Sequence, residues 1–182
     1  MNQNSDYYYL KYKHYKRLYS VLSGGSSLTL NSTDFDEGDL LPEDVTCLGK
    51  GIKPSLEWSN PPTGTQSYAL ILHDPDARKG IFFHWIVYNI PASDNNINND
   101  TPADRYDEGI NSADKKGYTA PCPPKGEVAH RYIFTLYALD DVITASDNVT
   151  GTELLVLIEP KVLGKATLTG FFGRNNNKLK NS

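Results

Sequence analysis

A chain of 182 residues with 38% apolar and 22% charged residues is long enough for one well-packed domain and short for two. Its formal charge of −4 argues against a dominant nucleic-acid surface, and no apolar run reaches the length of a membrane span. The two cysteines, Cys47 and Cys122, lie far apart and match no zinc knuckle or redox pair, which leaves a disulfide and two buried thiols both open.

Residues 1–27 differ in composition from the rest and are expected to form an N-terminal tyrosine-rich helical extension. Tyr8, Tyr12, Tyr15, Tyr19 and Leu22 fall on one stripe at helical spacing, interleaved with Lys11, Lys13, Lys16 and Arg17. The plainer reading is a helix that docks this stripe on the domain body or on a second copy. The sharper one is a basic aromatic helix on a membrane surface or partner, although strong apolar anchors are lacking. Ser23-Gly24-Gly25-Ser26-Ser27 ends the pattern. The opening residues carry neither the apolar centre nor the small-residue cleavage site of a secretory signal, so the expected compartment is the cytoplasm.

From Leu28 the chain reads as strands separated by turn chemistry. Residues 28–31 make a short strand, and the segments at 36–39 and 60–64 are turns. Residues 67–73 are apolar on both parities, as expected of a strand covered on both faces, and 82–90 follow suit. The Asn- and Asp-rich stretch 93–102 predicts an exposed loop. Residues 131–139 form a third long strand, rich in aromatic and β-branched residues. Thr150 and Glu153 make a capping box ahead of a helix over 154–163, which Pro160 should kink or restart. Residues 166–172 alternate like a last strand, and 175–182 are a polar tail. Many strands with one or two helices predict a mainly β domain spanning 28–174.

Two segments concentrate the chemistry: Asp74-Pro75-Asp76 with His84-Trp85, and Pro121-Cys122-Pro123-Pro124 with His130-Arg131-Tyr132. Side chains alternate along a strand, so Asp74 extends the face of Leu70 and Leu72, His130 and Tyr132 that of Phe134 and Leu136, and His84 that of Ile86 and Tyr88. The polar groups therefore stand at strand ends, at the rim of an apolar core. Two imidazoles and a phenol can all donate to an anion, while Asp74 or Asp76 can hold a histidine in one tautomer. Taken singly, each motif has a plainer meaning: a turn for Asp-Pro-Asp, a satisfied core histidine for His-Trp, a loop for Pro-Pro-Lys-Gly. Together they mark one small cleft suited to an anion.

Other site classes fit less well. Gly-x-Ser-x-Gly, a phosphate loop ending in Lys-Ser or Lys-Thr, and His-Glu-x-x-His are all missing. His73, Asp74, His84 and His130 lack compact zinc-ligand spacing. Cys122 with His130 could mimic a thiol hydrolase, but Pro123 offers no N–H to an oxyanion hole.

In order and content these segments resemble the phosphatidylethanolamine-binding protein family, in its bacterial and archaeal branch related to Raf kinase inhibitor protein. The resemblance covers 28–174. It includes the stretch from Val45-Thr46-Cys47 to Pro54-Ser55-Leu56-Glu57-Trp58, the run from Tyr68 to Ala77, His84 to Pro91, Gly117 to Gly126, His130-Arg131-Tyr132, Tyr137 to Asp140 and Val162 to Gly170.

It implies a two-sheet antiparallel β-sandwich with a few peripheral helices and a pocket for phosphate-like anions, including the phosphoethanolamine head of a phospholipid. Carried over by position, the ligand-binding residues would be Asp74, Ala77, His84, Pro123, Pro124, His130 and Tyr132. Asp76, Arg131 and Trp85 would support them. No catalytic residue, metal or cofactor is implied. The family resemblance also implies a non-enzymatic binding role, a kinase or serine protease as a regulated or inhibited partner, and a homodimer. A disulfide between Cys47 and Cys122 is implied by segments that related proteins can bridge. Three departures stand out, and one is the N-terminal tyrosine-rich extension, which has no counterpart in the typical small bacterial member. Arg78 occupies a usual proline position and would either add a cation at the mouth or point to solvent. Ala120 replaces a usual glycine.

Overall fold

The computed structural model describes residues 27–174. The tyrosine-rich segment and the polar tail expected at the two ends lie outside these residues.

Two antiparallel sheets form the body. The smaller has the order β1 (Thr29–Ser32), β2 (Leu56–Ser59), β5 (Asn96–Ile97). The larger has the order β6 (Asp107–Glu108), β4 (Phe82–Pro91), β3 (Ser67–Asp74), β7 (His130–Leu139), β8 (Val162–Phe172). One α-helix, α1 (Gly151–Ile158), covers the outer face of the larger sheet, and three short 3-10 turns complete the described structure. The mainly β sandwich expected from the sequence is what forms.

Alternation decides the packing. Tyr68, Leu70, Leu72, Trp85, Val87, Tyr132, Phe134, Leu136 and Leu168 turn inward to meet Leu30, Leu56, Trp58 and Ile97 of the small sheet. The opposite parity, Ala69, Ile71, Ile86 and Tyr88, packs beneath Leu154 and Ile158 of α1. Strand β3 is therefore buried on both faces, which is why neither of its parities is polar. Each large apolar side chain buried in this way contributes roughly 1.5–3 kcal/mol before entropy is subtracted.

The helix begins as expected. Thr150 accepts from the Glu153 N–H, and Glu153 accepts in return from the Thr150 N–H at 2.9 Å. It ends at Ile158, and Pro160 sits in a 3-10 turn before β8 starts at Val162, so the α-helix is shorter and the last strand longer than the pattern predicts. A second correction concerns 93–102. Within this polar loop Ile97 is fully buried, because Asn96 and Ile97 add a short strand to β2. One apolar residue seated in the core was enough to recruit the segment.

Candidate functional site

The cleft is built at one end of the larger sheet, where β3 stops and β7 starts. Asp74, the last residue of β3, is 3% exposed. Its Oδ1 accepts the Asp76 N–H at 2.8 Å, an Asx-type turn that bends the chain at Pro75. Its Oδ2 accepts from His130 Nδ1 at 2.7 Å. The other imidazole nitrogen, Nε2, meets a carboxylate as well, Glu127 Oε2 at 3.0 Å. Carboxylates only accept, so the imidazolium, with both nitrogens protonated, satisfies both bonds. Burial pulls the His130 pKa down, but its bonds to Asp74 and Glu127 outweigh that and hold it above the ordinary value.

His84 reaches the same cleft by an irregular route. Alternation alone would put it with Ile86 and Tyr88, under the helix. In the structure Leu72 pairs with Trp85 and His73 with Phe83, so His84 is the extra residue of a β-bulge. The bulge turns its ring to the side of Asp74, against Phe82 (centroids 4.6 Å apart) and edge-on to Tyr132 at 5.3 Å. The parity expectation for His84 is thus corrected, although its membership of the cleft is not. Nδ1 donates to the Thr119 carbonyl at 2.7 Å, which leaves Nε2 as the unprotonated nitrogen of the neutral ring. Burial lowers the His84 pKa more than the Thr119 bond raises it.

Tyr132 is fully buried, and burial, with the Asp74 charge, pushes its phenol pKa far up, so the group is a donor at any physiological pH. Its hydroxyl and His84 Nε2 have no hydrogen-bond partner among the described residues. Neither counts among the buried unpaired atoms of the described residues, so both are reached by solvent, and two open polar atoms on neighbouring rings mark where a ligand would fit.

The surrounding loops are fixed from outside. Asp76 accepts the Arg131 N–H and two guanidinium bonds, all at 2.9 Å. It is a brace rather than a free contact. Ala77 opens a turn whose carbonyl accepts the Gly80 N–H at 3.1 Å. Pro123 is buried and Pro124 half-buried in a loop stitched to residues 45–47. Cys47 and Cys122 are joined by a disulfide, the Cys47 N–H donates to the Pro121 carbonyl at 3.0 Å, and the Tyr118 hydroxyl donates to the Val45 carbonyl at 2.7 Å. Ala120 needs no glycine conformation, and Gly51 across from it, at φ 66°, supplies the room: a Cβ there would stand 3.3 Å from the Ala120 Cβ. Trp85 faces away from the cleft into the core, where it donates to Glu108 at 2.9 Å and packs on Tyr118.

Two residues of this constellation were not singled out from the sequence. Glu127 caps His130, and Thr119 positions His84. The Glu127 signal was a carboxylate three residues before His130 within a motif already in view. Thr119 acts through its carbonyl, which no side-chain pattern encodes. Arg78, open between two readings, is settled as a partner of Glu127. The disulfide removes Cys122 as a thiol nucleophile, so the hydrolase alternative is dropped.

Comparison with known proteins agrees with this fold. The sequence model of the phosphatidylethanolamine-binding protein family matches residues 31–173. The chain belongs to that family. It is 34% identical over 158 residues to a UPF0098 protein of Aquifex aeolicus, covering 84% of this chain and 92% of that one. A Mycobacterium tuberculosis protein, LppC, which carries lipoprotein in its name, is 38% identical over 146 residues, covering 80% of this chain and 72% of the relative. Among solved structures, a Chlamydia trachomatis homologue of phosphatidylethanolamine-binding protein superposes with a TM-score of 0.77 at 34% identity, covering 82% of this chain and 99% of that one. Escherichia coli YbcL gives 0.76 at 28% identity, with coverages of 81% and 99%. No helix among the described residues is long and apolar enough to cross a membrane.

Proposed function

We propose that the protein is a non-enzymatic binding protein that holds a phosphate-bearing anion, such as a phosphoethanolamine head group, in the cleft of Asp74, Ala77, His84, Pro123, Pro124, His130 and Tyr132. The observation that carries this reading is the pair of rings 5.3 Å apart, His84 and Tyr132, whose outer polar atoms have no partner within the described protein. Tyr132 donates to a phosphate oxygen. His84 Nε2 accepts from a protonated phosphate or donates after taking up a proton. The Asp74 charge, which would repel an anion, is offset by the His130 imidazolium bonded to it.

In this reading residues 28–174 carry the site, and a regulatory action on a protein partner would follow from ligand occupancy. The disulfide weighs against the cytoplasm as the compartment.

Calorimetric titration with inorganic phosphate tests the reading. Tyr132→Phe removes a hydroxyl with no internal partner, so the melting temperature stays the same while phosphate affinity drops about tenfold, the worth of one hydrogen bond at the upper end of the neutral range. His84→Ala should weaken binding as well. Affinity unchanged in both variants would overturn the assignment.

A further inference from the structure

Glu127 and Arg78 have no role in that reading, yet both stand at the cleft. Glu127 ends the turn Pro124–Glu127, in which Gly126 takes φ 90° and the Glu127 N–H points to the Pro124 carbonyl at 3.5 Å. Its side chain is 22% exposed, and its carboxylate covers Nε2 of His130, whose own side chain is 4% exposed. Arg78, in the turn Ala77–Gly80, pairs with the same carboxylate and is 71% exposed at the side chain. The outward nitrogen of a buried imidazolium is therefore covered by a tethered carboxylate, with a mobile-length cation on its solvent side.

The three carboxylates around the cleft are not held alike. Asp74 accepts a backbone N–H from Asp76 and is almost fully buried. Asp76 accepts the backbone N–H of Arg131. Among the described residues Glu127 bonds only to the side chains of His130 and Arg78. It alone can swing away without opening a main-chain hydrogen bond.

We propose that Glu127 is a built-in occupant of the anion position. An arriving phosphate displaces its carboxylate, takes His130 Nε2, and gains Arg78, which the same movement releases. This rests on the anion-cleft reading and deepens it by adding Arg78 as a ligand-gripping residue and Glu127 as its competitor. Both exchanges conserve chemistry. A phosphate oxygen accepts from an imidazolium N–H as a carboxylate does, and a guanidinium fork takes phosphate in the same two-bonded manner. The ligand must therefore outbid a carboxylate already in place, so the resting site discriminates against weakly accepting anions.

The test is calorimetric titration of the full chain with inorganic phosphate, comparing wild type, Glu127→Gln, Arg78→Gln and the double variant, with thermal melts alongside. Glu127→Gln keeps the shape and a neutral acceptor but removes the competing charge. It should bind phosphate about tenfold tighter, the difference expected when a charge-assisted bond no longer has to be broken. Glu127→Ser, which empties the position, should gain at least as much. Arg78→Gln should cost about tenfold in the Glu127→Gln background and clearly less in wild type, where losing the cation also loosens Glu127. Wild-type binding that His84→Ala abolishes but that Glu127→Gln and Glu127→Ser leave no tighter would overturn this proposal and leave the anion reading standing. No phosphate binding by wild type or by either Glu127 variant would overturn both.

Discussion

Replacing Asp74 by Asn tests whether the cleft is organised by a buried charge pair. Asn keeps the volume, and its amide oxygen can still accept the Asp76 N–H. What is lost is the charge opposite His130 Nδ1, across a 2.7 Å bond between side chains that are 4% and 5% exposed. A hydrogen bond to a charged group contributes about 1.5–3 kcal/mol, and Glu127 still faces Nε2, so we expect a loss of about 2 kcal/mol. For a chain of this size that lowers the melting temperature by about 4–8 °C. The pH dependence carries the sharper signature. The His130 pKa is held above its ordinary 6.5, so the pair's stabilisation is fully present below that value and fades as pH rises through the raised one. Denaturant unfolding of both proteins at pH 6 and pH 9 measures this. The gap between wild type and Asp74→Asn should be wide at pH 6 and narrower at pH 9. An equal gap at both, or a gap that widens with pH, would refute the charged pair.

Three other outcomes follow from the same structure. Reducing the disulfide, or changing Cys47 and Cys122 to Ser, frees a loop closed over a separation of 75 residues; chain entropy puts the loss at about 4.5 kcal/mol at most, read as a lower urea midpoint. Anion affinity should rise as pH falls below 6.5, because the His84 pKa is lowered by burial and its Nε2 becomes a donor only on protonation; phosphate titrations from pH 7.5 to 5 check this, and His84→Ala should flatten the profile. Gly170→Ala on β8 would place a Cβ 2.9 Å from Leu41 Cγ and 3.1 Å from Phe35 Cε2, so it should destabilise the sandwich by about 1–3 kcal/mol in a thermal melt.

The long strands were legible because alternation and burial act locally. β3, β4 and β7 each begin and end within a residue of the apolar runs that announce them. The short strand read at 28–31 forms one residue later, at Thr29–Ser32, but the two-residue strands were not legible. Asn96–Ile97 and Asp107–Glu108 owe their strand character to neighbours distant in sequence, namely β2 and β4. The same divide runs through the cleft. Asp74, His130 and Tyr132 follow from parity, since Leu72 and Phe134 fix the inner face beside them. His84 does not, because the bulge opposite Leu72 and His73 is a property of strand pairing. Glu127 was hidden differently. A lone acidic residue in a Gly- and Lys-containing loop reads as solvated, and only the fold puts Arg78 and His130 on either side of it.

The central claim is that His84, His130 and Tyr132 hold an anion. It is met most directly by NMR, following the imidazole signals of His84 and His130 while inorganic phosphate or glycerophosphoethanolamine is added to the full chain. The account predicts saturable shifts of both rings at one common affinity, weakened in Tyr132→Phe. Imidazole signals that stay in place at every accessible concentration would contradict it.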